Sequence, residues 1–131
     1  MNIEINGKEC ELSFGLRFVR EMDKKNFIEQ GTVKFGTSLE YKIPFIVDRD
    51  PTVLAEVLYS AGVTAKKRPT QDEIDDYIDT VADIDALFME VIDELKKGNA
   101  TKLRMARLEE QLGRTVGSEA TTEIPRKPMK K

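Results

Sequence analysis

The densest run of chemically capable side chains lies between Asp72 and Glu94, where ten Asp or Glu residues stand without one Lys or Arg. Converging carboxylates can hold a metal ion, or divide acid and base roles as hydrolases require. The spacing argues for a different use. Asp72, Asp75, Asp76, Asp79, Asp83, Asp93 and Glu94 alternate with an apolar helical stripe, so most of them face solvent. No Asp-x-Asp-x-Asp-Gly run with a later Glu is present, which removes the usual calcium loop. A solvated helix face is the plain reading, and a docking face for a basic partner is the functional one.

The remaining reactive groups are sparse. Histidine is absent, which removes the usual general base, the His-containing triads and most zinc sites. Cys10 is the single cysteine, so no internal disulfide can form. It lies on the inward side of a predicted strand, as an inert core thiol would. Gly31, Lys34, Gly36 and Ser38 lack the Gly-Lys-Ser/Thr of a phosphate loop and read as a flexible connector. Lys66-Lys67-Arg68 reads as a helix-connecting loop. These residues carry no cofactor site, and the chain is expected not to be an enzyme.

A chain of 131 residues suits one domain, with 40% apolar and 34% charged residues typical of a soluble globular protein. No apolar run is long enough to span a bilayer, and residues 1–25 are too charged for a signal peptide, so the expected location is cytoplasmic. The net charge of −3 is uneven. From Arg114 onward five basic residues face two acidic ones, giving +3, so residues 1–113 carry −6. A nucleic-acid binder needs a basic face on its folded body, so no nucleic-acid partner is expected.

The expected fold is α+β and mainly α, with an N-terminal β-hairpin on a bundle of four to six helices. Ile3 and Ile5, then Cys10, Leu12 and Phe14, alternate around Asn6-Gly7, a strong two-residue hairpin signal. Leu16, Phe18, Val19 and Met22 predict a short helix ending near Lys25. Residues 29–38 read as a loop. Ser38 is a candidate cap for a helix carrying Leu39, Ile43, Ile46 and Val47, which Pro44 kinks or delays. Asp50-Pro51 opens a helix through Ala61, with Gly62 as a left-handed stop. Thr70-Gln71-Asp72-Glu73 is a capping box, followed by an apolar period to Leu95 that is one helix, or two with Asp83 as a second cap. The globular domain spans 1–98. A further helix over 99–113, started by Asn99 or Thr101 and stopped at Gly113, follows it. Residues 114–131 form a basic tail with too little to bury, expected to be disordered.

Several of these segments together carry a resemblance. Ile5-Asn6-Gly7-Lys8 with Phe14-Gly15-Leu16-Arg17-Phe18-Val19 resembles the opening of the tail assembly chaperones of long-tailed bacteriophages of Gram-positive hosts. Ala55 to Ala61, Lys67-Arg68-Pro69-Thr70, and Asp83-Ile84-Asp85 before Leu87-Phe88 extend the similarity over about residues 1–97. The resemblance implies the short form of such a chaperone, made in the infected cell and absent from the finished virion. It implies a tape measure protein as client. A tail tube protein would be a further partner, contacted through a longer product of ribosomal frameshifting. Lys130-Lys131 is compatible with a slippery run of adenines.

A largely helical client calls for apolar anchors spaced over successive turns, and many weak copies along one client favour self-association. The candidate anchors are Tyr41, Phe45, Tyr59 and Phe88, with Asp72, Asp76 and Asp79 on an acidic face that steers basic segments. The alternative is a small non-enzymatic adaptor binding one folded partner.

Overall fold

The computed structural model describes residues 1–119, with side chains through Gly113. In chain order come β1 (Asn2–Ile5), β2 (Lys8–Glu11), α1 (Leu16–Asp23), β3 (Phe27–Gln30) and β4 (Val33–Gly36). Then follow α2 (Ser38–Tyr41), α3 (Ile43–Val47), α4 (Pro51–Ala61), α5 (Gln71–Thr80), α6 (Ile84–Lys97) and α7 (Lys102–Glu119). The architecture is α+β and mainly helical, with the first hairpin laid on the helices.

That hairpin forms as its sequence dictates. Asn6 and Gly7 both take positive φ (53° and 75°), as a type I′ connection demands, and Ile3 pairs with Cys10. Ile3, Ile5, Leu12 and Phe14 are buried, whereas Cys10 is only half-buried against the core edge. The Ser13 N–H donates to the Ala61 carbonyl (2.9 Å), stitching the strand exit to the end of α4. β1 packs on α5, and α4 lies centrally against α1, α3 and α5. Its Leu54, Val57, Leu58 and Ala61 are fully buried. The rings of Phe14 and Phe18 meet at 5.1 Å, tilted by 57°, beneath the first hairpin.

Helix starts follow local chemistry. Asp50 Oδ1 accepts from the Thr52 and Val53 amides (2.9 and 3.3 Å), with Pro51 at the first helical position. In the capping box the Glu73 N–H donates to Thr70 Oγ1 (3.1 Å) while Glu73 Oε1 accepts from the Thr70 N–H (2.9 Å). The apolar period to Leu95 is two helices. Val81 is extended, and Asp83 Oδ1 accepts from the Ala86 N–H (3.0 Å) to open α6.

Four expectations are corrected. Residues 29–38 are largely a second antiparallel hairpin, with Ile28 opposite Phe35 and Gln30 opposite Val33. Gly31 takes φ 63° ahead of Thr32, so Gly-Thr does the work of a Gly-first two-residue turn. Ser38 is not the cap of its helix. It lies inside α2 and is itself capped by Asp23, whose Oδ1 accepts from the Ser38 N–H (3.0 Å) and hydroxyl (2.6 Å). Gly62 has φ −78°, not a left-handed value, and passes into a short 3-10 turn, Gly62–Thr64. Gly113 does not stop α7, which runs to Glu119. Of the expected tail, residues 114–119 continue that helix and 120–131 lie outside the described residues.

The pattern over 38–47 splits into α2 and α3, with Pro44 in the first turn of α3, where its missing N–H costs nothing. The Thr101 carbonyl accepts from the Met105 N–H (3.0 Å) as α7 begins. Its buried hydroxyl turns back to donate to the Leu95 carbonyl (2.6 Å), locking α7 to the end of α6. No described helix is long and apolar enough to cross a membrane.

Candidate partner-binding surface

A hollow of about 530 Å³ lies between β2 and the segment Ala65–Thr70, with Cys10, Lys66, Lys67 and Glu73 in its wall. Burial and the nearby Glu73 carboxylate both push the Cys10 thiol above its ordinary value, leaving less thiolate and a poor nucleophile. Among the described residues no three His, Cys, Asp or Glu side chains stand where they can hold a metal ion.

The four aromatic candidates separate into two pairs. Tyr41 is 60% exposed on α2 and Phe45 is 45% exposed on α3, consecutive elements that pack on each other. Phe88 is 2% exposed inside the core, so it supports α6 and is not available to a partner without repacking. Tyr59 is half-buried and already engaged. The Arg68 guanidinium stacks over its ring at 3.8 Å and donates from Nε and Nη2 to its carbonyl (3.3 and 3.0 Å). The same guanidinium meets Glu21 at 2.9 Å, so Arg68 is a structural clamp between α1 and α4.

The neighbourhood of Tyr41 and Phe45 is charged but internally matched. Lys42 pairs with Glu56 (3.3 Å), Arg49 with Asp85 (2.7 Å), and Arg104 on α7 with Glu40 on α2 (3.3 Å). Arg49 also holds a left-handed backbone (φ 65°), donates from Nη1 to the Val47 carbonyl (2.9 Å) and lies 5.9 Å above the Phe88 ring. This clip fixes the end of α3 against α6, beside the half-exposed Met89, whose sulfur lies 3.0 Å from Arg49 Nη2. Opposite charges neutralised within the chain leave the apolar groups as its distinguishing feature.

The second hairpin adds to them, and sequence reading missed it. Ile28, Val33 and Phe35 share one face by register and are each 47–49% exposed, with no charged residue among them. Phe27 is on the opposite face, where Lys34 Nζ lies 4.8 Å from its ring centre. A signal was present: two short apolar pairs flank Gly31-Thr32. β4 leads through Thr37 directly into α2, so the hairpin and Tyr41 adjoin in sequence.

Asp72, Asp76 and Asp79 are all exposed on α5 and form one stripe at spacings of four and three, facing away from buried Ile74 and Ile78. Asp75 and Asp79 flank a groove of about 310 Å³ between α4 and α5, floored by Pro51, Ala55 and Ile78. The stripe and the aromatic pair stand on different elements, so the candidate residues do not converge on a single site.

A search of curated proteins and a search of solved structures each give no match. A family model described as phage tail assembly chaperone protein, TAC, matches residues 2–110, which take in both hairpins, α1 through α6 and the start of α7. A match over most of the chain places this protein in the phage tail assembly chaperone family.

Proposed function

We propose that this chain binds and solubilises the tape measure protein during tail assembly in the cytoplasm of the infected host. The observation that carries this reading is the set of half-exposed apolar side chains on adjoining elements: Ile28, Val33 and Phe35 on the second hairpin, Tyr41 on α2 and Phe45 on α3. A folded body has no internal use for five such groups on one continuous stretch of chain, and a chaperone of helical segments does. The matched ion pairs around them suit a client recognised by its apolar stripe and not by a fixed charge pattern.

One such surface holds a client weakly, and many copies along one long client hold it strongly, so the working form is a multi-copy coat. A longer frameshifted product brings tail tube subunits to the coated client, and the chain itself is left out of the virion. Co-expression with a tape measure protein tests the reading. The client becomes soluble in the presence of this chain. A client that stays insoluble, with this chain eluting alone, rejects the reading and favours a one-partner adaptor.

A further inference from the structure

We propose that the groove between α4 and α5 receives the basic C-terminal segment, residues 124–131, of a second copy of this chain, linking copies head to tail. This deepens the multi-copy coat proposed above, and its test needs no client, so a failure here leaves client binding standing.

The groove has the form of a receptor for such a segment. Pro51, Ala55 and Ile78 give it an apolar floor, and Asp75 and Asp79 give it an acidic rim. Asp72 and Asp76 continue the negative field along the same helix. Among the described residues none of these four aspartates forms an ion pair, although charged residues elsewhere on the body do so repeatedly. Four unmatched negative charges within three turns repel one another and weaken α5 unless something positive covers them.

The chain carries its own complement. Residues 124–131 read Ile-Pro-Arg-Lys-Pro-Met-Lys-Lys, with apolar side chains interleaved among four positive charges and no negative one. Apolar groups suit the floor and Arg126, Lys127, Lys130 and Lys131 suit the rim. The body, at −6 over residues 1–113, attracts this segment at long range.

The described part of α7 packs chiefly on α6 and not on α4 or α5, which favours a second copy over the chain's own groove. Met105 is the last fully buried side chain of α7 among the described residues. Every residue from Glu109 to Gly113 is exposed, more than one helical turn, so α7 has left the core before the basic segment is reached. A contact between two different patches is heterologous and does not close on itself, so it adds copies in a line. Such a line matches a long client.

The test is a charge exchange in the full chain, read by light scattering. The wild-type mass rises with concentration at low ionic strength and returns to the monomer in strong salt, where charges more than a few ångströms apart are screened. Asp75→Lys with Asp79→Lys, or Arg126→Glu with Lys127→Glu, each reduces self-association at least tenfold. An equimolar mixture of the two variants associates again, because the intact basic segment of the groove variant then meets the intact groove of the tail variant. Asp75→Asn with Asp79→Asn keeps the side-chain shape and gives the same loss if the lysine variant fails to fold. A wild type that stays monomeric at every concentration, association indifferent to both reversals, or a mixture that does not recover overturns the proposal.

Discussion

Asp23 and Ser38, fifteen positions apart, are joined by two hydrogen bonds to one carboxylate oxygen, from the Ser38 amide at 3.0 Å and its hydroxyl at 2.6 Å. The carboxylate passes over Gly36, where an added Cβ would collide with it. Asn26 closes the base from the other side, its carbonyl accepting from the Thr37 N–H (2.8 Å) and its amide donating to the Met22 carbonyl (2.7 Å) and to Glu56. A two-stranded hairpin is marginal in water, so this root is what holds Ile28, Val33 and Phe35 in one place.

Replacing Asp23 by Ala removes the cap of α2 and leaves the buried Ser38 hydroxyl unsatisfied, a loss of about 1–3 kcal/mol. Gly36→Ala displaces the same carboxylate and gives a loss of the same order. Urea denaturation measures both, and limited proteolysis shows early cleavage within residues 26–37 in each variant. Equal stability and an unchanged cleavage pattern would show that the root does not position the hairpin.

Phe88 and Phe45 make a second comparison, since both were candidate anchors and only one reaches solvent. Phe88→Ala opens the core beneath Arg49 and costs about 3–5 kcal/mol. Phe45→Ser and Tyr41→Ser change stability by no more than about 0.5 kcal/mol. Thermal and urea melts separate the two classes before any binding is measured.

Arg68 links α1, Tyr59 and the loop before α5, and lysine cannot replace its planar stack and fork of donors. Arg68→Lys loses about 1–2 kcal/mol through the cation–π and carbonyl contacts even though the charge is kept. If the lysine variant matches the wild type in urea, the clamp acts through charge alone.

Glu21 contributes to the acid side of the stability profile. The hydrogen bond from Lys24, and then the contacts with Arg68, hold its carboxyl below the ordinary 4.5. The unfolded chain therefore takes up this proton first, so the stabilisation is complete above the unfolded value and is lost as pH falls through the folded one. Glu73, held low chiefly by the Thr70 amide, acts in the same direction. Glu21→Gln is less stable than wild type at pH 7, and the gap narrows below about pH 4.5. A gap that is constant with pH would remove Glu21 from the account.

Much of the fold was legible because local chemistry and burial agree there. Asn6-Gly7 between alternating residues, Asp50-Pro51, the Thr70–Glu73 box and Asp83 each announce an element that the structure forms. The second hairpin was not legible for the opposite reason. Phe27, Ile28, Val33 and Phe35 bury no full face, and Gly31-Thr32 is a weaker turn signal than Asn-Gly. The cap on α2 was hidden because its acceptor comes from Asp23 on another element, which no local motif encodes. Periodicity placed the aromatic residues on helices without saying which side meets solvent. Phe88 and Phe45 look alike in sequence and differ in the fold because Phe88 lies on the buried face of α6 with Leu87, Val91 and Ile92, whereas Phe45 lies on the outward face of α3 between buried Ile43 and Ile46.

The central claim is that exposed apolar groups on the second hairpin, α2 and α3 hold the client. Light scattering on the purified complex of this chain with the tape measure protein, compared with the Tyr41→Ser/Phe45→Ser double variant, tests it most directly. The account predicts many copies per client for the wild type, and at least a tenfold loss of bound chain for the double variant at unchanged stability. An undiminished complex with the double variant, or a single copy per client, would contradict it.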